Sequence, residues 1–188
     1  MKRITFVLAA ALVFSACGGP GHMDGTVAGI NLSVKDAIFA LIKDTSGNTA
    51  GLYLVMADKP DLCTTVKANR QPKNLTGLVF SMVQYTDTAT ILAPDVGDYT
   101  VVNSTPPRGG RYAGAFFAHT DANCTSTIAP AAGTGSSGLV KLTSLKGETG
   151  GTASGTFDVT FGASDKVTGS FNAAFCDVTT LGSNANCE

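Results

Sequence analysis

Catalysis by an activated serine or cysteine needs a base beside the nucleophile. In this 188-residue chain the candidate for that base is His119, with Asp121 two positions on to orient the imidazole. The other histidine is His22, and no Gly-x-Ser-x-Gly elbow occurs. His119 closes a strand-like segment, a usual setting for a surface side chain, so the pair predicts no catalysis. Gly133-Thr134-Gly135-Ser136-Ser137-Gly138 has the spacing of a dinucleotide-binding loop. Such a loop needs a strand before it and a helix N-terminus after it to meet a pyrophosphate. Pro-Ala-Ala precedes this stretch and an alternating segment follows, so it reads as a loop. Asp158 and Asn172 fall at equivalent places of a short internal repeat and could touch a ligand or cation, but a solvated sheet face is the better explanation. The chain has no Trp, which leaves Tyr53, Tyr85, Tyr99 and Tyr112 as stacking surfaces for a sugar, although strand tyrosines are usually structural. Asn31, Asn74, Asn103 and Asn123 each open an Asn-x-Ser/Thr tripeptide, a pattern too frequent to carry information.

The N-terminal segment is more specific. Lys2 and Arg3 precede an apolar run, Ile4 to Phe14, broken only by Thr5. Eleven residues are too few to span a hydrocarbon core of ~30 Å as a helix, and are the length of a signal h-region. Phe14-Ser15-Ala16-Cys17 follows, then Gly18-Gly19-Pro20-Gly21. This arrangement resembles the lipobox of bacterial lipoproteins, with Phe14 where that family usually has leucine. The resemblance implies cleavage between Ala16 and Cys17, a diacylglyceryl thioether on Cys17, and, with Gly18 rather than aspartate next, transfer to the outer membrane. Phe14 also disfavours ordinary signal-peptidase cleavage after Ala16, which wants a small residue there. Residues 1–16 are therefore expected to be a signal peptide, and 17–25 a lipidated cysteine on a breaker-rich, flexible tether. A single domain is expected over 26–188. Losing Lys2 and Arg3 takes the formal charge from -1 to -3. No basic stripe remains to neutralise phosphates, which argues against nucleic acid as a partner.

With Cys17 acylated, four of the five cysteines remain: Cys63, Cys124, Cys176 and Cys187. An even number in an exported chain suits two disulfides. The absence of Cys-x-x-Cys and of suitably spaced histidines argues against a zinc site. Three connectivities are open. Cys63–Cys176 with Cys124–Cys187 is slightly preferred, because the first two lie beside packed segments and the last two share an Ala-Asn-Cys context.

The elements that would position these residues are mostly strands. Glu occurs only at 148 and 188, while Gly, Thr, Val and Phe recur. Strand patterns cover 36–43, 51–57, 75–85, 99–102, 112–119 and 139–145, and Asp44 to Asn48 is turn chemistry between the first two. Residues 121–137 look soft. Residues 60–68 suggest one short helix, with Pro60 and Asp61 at its start and Leu62 and Val66 four apart. The sharpest signal is a repeat at fourteen residues. Ser154-Gly155-Thr156-Phe157-Asp158-Val159-Thr160-Phe161 is echoed by Thr168-Gly169-Ser170-Phe171-Asn172-Ala173-Ala174-Phe175. The reading is a hairpin, turning at 162–165, with four Phe side chains in one core.

The sequence thus predicts an all-β domain, an antiparallel sandwich or barrel of about 8–9 strands with one short helix. The expected role is non-catalytic: a lipid-anchored binding or structural module of the cell envelope. It would face the periplasm or cell surface, with no cofactor beyond the lipid on Cys17. Its partners would be the bilayer and an envelope protein or glycan. The alternatives are an envelope hydrolase with a loop-built site, and an accessory subunit of an assembly or transport complex.

Overall fold

The computed structural model of the chain describes residues 19–88, 90–178 and 185–188. The expected signal peptide and Cys17 lie outside them. In chain order the elements are β1 (Gly21–Asp24), β2 (Asp36–Lys43), β3 (Thr49–Ala57), α1 (Leu62–Lys67), β4 (Arg70–Gln71), β5 (Thr76–Tyr85) and β6 (Ile91–Leu92). They continue with β7 (Gly97–Val101), β8 (Gly110–His119), α2 (Pro130–Gly133), β9 (Gly135–Leu145), β10 (Thr152–Phe161), β11 (Asp165–Phe175) and β12 (Asn186–Cys187).

Eight strands close into a barrel in the order β2-β3-β5-β8-β7-β9-β10-β11, and β11 returns to β2. Closure removes the unpaired edges that a flat sheet would leave. Most neighbours are antiparallel, as expected, but β7 with β8 and β11 with β2 run parallel. Because β7 and β8 point the same way, the connection 102–109 must return along the outside of the wall. β2 meets β11 only at Ala174↔Ile38 and Phe175↔Phe39. The rest of that edge of β11 is taken by β1, which pairs antiparallel from Gly21↔Phe171 to Asp24↔Thr168.

The barrel interior is filled. Inward positions of successive strands supply Phe39, Leu54, Met56, Leu78, Phe80, Tyr99, Phe117, Val140, Val159 and Phe161, all buried in one cluster. Their rings meet across the interior: Phe80 and Phe157 lie 5.3 Å apart, and Phe117 and Phe161 6.3 Å. Each such side chain contributes roughly 1.5–3 kcal/mol by leaving water. One end is stoppered by the segment between β1 and β2. Its Val27 and Leu32 are wholly buried in the same cluster. A two-residue turn at Ala28 and Gly29, both with positive φ, folds Val27 against Ile30.

The repeated Gly–Phe motif acquires its meaning in the β10–β11 register. Gly155 stands opposite Phe171, and Phe157 opposite Gly169. Each ring lies across the facing glycine: a Cβ on either glycine would come within 2.5 Å of the facing Phe Cζ. The repeat therefore encodes a reciprocal pair of cross-strand contacts. Of the four phenylalanines, Phe157, Phe161 and Phe171 are buried; Phe175 is half-buried and packs on Phe39, 5.3 Å away.

A second, smaller cluster lies outside the wall. Ile38, Ala57, Leu62 and Cys176 are buried there under α1, with Val55, Val66 and Leu75 around them. The short helix falls where the sequence predicts it. Its first N–H is capped from a distance, as Leu62 N donates to Asp36 Oδ2 at 2.8 Å, while Asp61 makes no side-chain cap.

Two disulfides, Cys63–Cys176 and Cys124–Cys187, hold this outer layer. The first ties α1 to the end of β11. The second ties the two-stranded β4–β12 ribbon to the loop after β8. This is the slightly preferred connectivity.

The sequence reading requires correction at both ends of the soft segments. Gly21–Asp24, expected to belong to a flexible tether, is strand β1, with Met23 only 5% exposed. One large apolar residue in four gives no periodicity to read; pairing with β11 supplies the order. Likewise β9 begins at Gly135, inside the stretch read as soft, because Gly135 packs directly on Ala115, Val159 and Val101, where no side chain would fit.

Candidate functional site

The residues singled out for chemistry are placed apart, and most are held by their own neighbourhoods. His119 ends β8 and its Nδ1 is 2.9 Å from Thr76 Oγ1. The Asp121 carboxylate accepts N–H groups from Asn123 at 2.8 Å and Thr125 at 2.9 Å. These backbone donors, Thr125 foremost, hold its pKa below the usual aspartate value. No hydrogen bond or ion pair joins His119 to Asp121 among the described residues. Asp44 is organised in the same way in the β2–β3 turn, where N–H groups of Ser46 and Asn48 bind it and lower its pKa, Asn48 chiefly.

Asp158 pairs with Lys166 at 3.0 Å, and Asn172 accepts a hydrogen bond from Ser154 at 2.9 Å. Their cross-strand partners differ, Thr168 for Asp158 and Ser154 for Asn172, so the repeat does not bring them together. Gly133–Gly138 leads from α2 into β9, with a strand where a dinucleotide loop would need a helix. His22 lies on β1 beside Ser170, with Nδ1 to Oγ at 2.9 Å. Among the described residues no cluster of His, Cys, Asp and Glu could hold a metal ion, and no helix is long and apolar enough to cross a membrane.

The tyrosines separate by face. Tyr99 points inward and is fully buried; its hydroxyl donates to Asp95 O at 2.7 Å, and burial raises its pKa. Tyr53, Tyr85 and Tyr112 are half-buried on the outer wall. Two of them, Tyr85 and Tyr112, line a groove of about 320 Å³ between β5, β8 and the returning connection 102–109. Its floor is a small cross-strand pair of that wall, Ser81 opposite Gly114. Phe116 closes one end, with its ring leaning over Gly114 and 48% of its surface exposed. Tyr112 is fixed by a hydrogen bond from its hydroxyl to Gly109 O at 2.6 Å. Val102, Asn103, Ser104 and Pro106 form the far bank.

No family model, curated protein or solved structure matches the chain.

The groove's chemistry follows from its lining. The lining contains no carboxylate, ammonium or guanidinium group. Among the described residues Ser81, Tyr85, Asn103 and Ser104 have no side-chain hydrogen-bond partner, which leaves their polar atoms facing the groove. The rings and Pro106 supply apolar surface beside them. An uncharged, partly apolar ligand could be held here; the groove contains no titratable pair of the kind that drives hydrolysis.

Sequence reasoning named Tyr85 and Tyr112 as stacking candidates but missed Ser81, Ser104, Pro106, Gly114 and Phe116. A signal for the wall was available in the apolar residues Val79, Val83 and Phe116 at outward positions of β5 and β8. The loop that makes a wall into a groove was not readable, because its course depends on the parallel β7–β8 pairing.

Proposed function

We propose that this chain is a lipid-anchored lipoprotein of the cell envelope whose barrel is a non-catalytic binding module. The observation that carries the anchor is the allocation of sulfur. The two bridges use Cys63, Cys124, Cys176 and Cys187, which leaves Cys17, after its apolar run and small residues, as the one cysteine outside both. Disulfides also suit an oxidising compartment. Two or more acyl chains on Cys17, at ~0.8 kcal/mol per buried methylene, would hold the protein stably on a bilayer. The outer membrane, with the domain in the periplasm or at the cell surface, is the location proposed.

Binding at the wall is supported by the uncharged groove on β5 and β8 and by the large buried side chains, Phe39, Phe80, Tyr99 and Phe161 among them, that occupy the barrel interior. The non-catalytic reading is supported by the engagement of Asp121 and Asp158 with their own surroundings. Metabolic labelling with an alkyne fatty acid tests the anchor. The native chain is expected to be labelled and Cys17→Ala not; equal label in both would remove the proposal.

A second reading, an accessory subunit docking on another envelope protein, draws on Ile91, Leu92 and Val96. All three lie in the β5–β7 connection and are exposed. Pull-down from solubilised membranes tests it, and absence of a stoichiometric partner would exclude it.

A further inference from the structure

We infer that the outer-wall groove binds a neutral oligosaccharide, laid along β5 and β8 with its rings against Tyr85, Tyr112 and Phe116. The inference rests on reading the barrel as a binding module and names the ligand class of that module.

Three observations select the class. Charge comes first: a lining without ionised groups offers no counter-charge to a phosphate, a carboxylate or an amine, which favours a neutral ligand. The second is the kind of polar group left unpaired. Hydroxyls of Ser81, Tyr85 and Ser104 both donate and accept, and the Asn103 amide does the same with two atoms. That duality matches sugar hydroxyls. A peptide backbone would instead look for an unpaired strand edge; β5 is taken on both sides, by β8 and by β3 and β6, and the far side of β8 is met by β7 at Tyr112 and Ala113 and by Thr134 at Phe116. The third is shape. From Tyr85 to Val79, the residue opposite Phe116, is six residues of strand, a run of ~20 Å. Along it Tyr112 and Phe116 flank the low floor at Ser81 and Gly114, so aromatic surface alternates with small polar surface. A chain of pyranose rings, each with an apolar C–H face and a hydroxyl edge, has the same alternation.

The test uses the full processed chain in a sugar-free detergent. With no Trp present, emission comes from four tyrosines, of which Tyr85 and Tyr112 line the groove. The probes are a panel of neutral oligosaccharides that includes chitotetraose and cellotetraose, with tetra-alanine as the peptide comparison. At least one oligosaccharide is expected to give a saturable change. Tyr85→Ala and Asn103→Ala are each expected to weaken it about tenfold, and Thr156→Ala on the opposite wall to leave it unaltered. Asn103 is exposed in a loop, so its variant keeps the fold intact. No saturable change with any oligosaccharide, a change indifferent to both groove variants, or displacement by tetra-alanine would overturn the inference. Fatty-acid label on Cys17 is read on the same preparation, so loss of the anchor and loss of the groove are scored separately.

Discussion

Replacing Gly169 by alanine tests whether close backbone approach is what requires glycine at this position of the repeat. A Cβ at 169 would sit 2.1 Å from His22 O and 2.5 Å from Phe157 Cζ. Ordinary contact begins near 3.4 Å, so the carbonyl must retreat by about 1.3 Å, more than a quarter of the ~4.8 Å between paired strands. The aromatic ring can turn aside, but the carbonyl belongs to β1, whose four residues hold to β11 by the same ladder. The expected cost is that of overpacking a rigid site, ~1–3 kcal/mol. Gly77→Ala is the internal comparison. Its Cβ would meet only Met56 O, at 3.5 Å, so alanine is expected to be neutral or to stabilise by up to ~1 kcal/mol through the unfolded chain. Urea unfolding with the disulfides intact measures both. With a slope of ~2 kcal/mol/M, the Gly169→Ala midpoint falls by roughly 0.5–1.5 M. Adding Phe157→Leu is not expected to restore it, since the carbonyl remains. Equal midpoints for Gly169→Ala and the native chain would refute the argument that backbone approach, rather than turn-like freedom, requires glycine here.

Three further outcomes follow from the same geometry. Removing Cys63–Cys176, which closes 113 residues, or Cys124–Cys187, which closes 63, is expected to cost about 4–5 kcal/mol in the chain-entropy account, read by unfolding of the paired Cys→Ser variants; a loss under ~1 kcal/mol from either would contradict it. Met23→Asp places an unpaired carboxylate against the core, so amide exchange at 21–24 should rise to that of an unstructured segment while β5 and β8 keep their protection; unchanged exchange would mean that Met23 does not hold β1. Asp121 has a lowered folded pKa, so its support of the 121–125 turn is present above the ordinary aspartate pKa and fades as pH falls through the folded value. In an NMR titration its midpoint should lie below the usual aspartate range and the Asn123 and Thr125 amides should shift with it; a midpoint at or above that range would negate the proposed N–H bonds.

Local chemistry was legible in the sequence wherever a short window contains its own cause. β2, β5 and β8 appear in the expected places because each is a strand-length run rich in apolar and β-forming residues. Asp44 and Asp121 organise their turns with side chains that reach backbone only two to four residues away. The four Phe positions of the repeat were readable as one core for the same reason.

Long-range geometry was not legible. Nothing between residues 21 and 24 announces a strand; β1 exists because β11 has half an edge to fill. Ser81 and Gly114 are unremarkable until they face each other, and the loop 102–109 becomes a groove bank only because β7 and β8 run parallel. The sequence by itself determined the β character, the Phe core, the short helix and the candidates for sulfur chemistry, since each follows from residue type and local spacing. Only the tertiary structure decided that the sheet closes, which cysteines meet, that the interior is filled, and that uncharged hydroxyl and aromatic groups converge on one outer wall. Those features depend on which strands pair at which register, and pairing energy is set by contacts between residues as far apart in the chain as Gly21 and Phe171, beyond any pattern within a single segment.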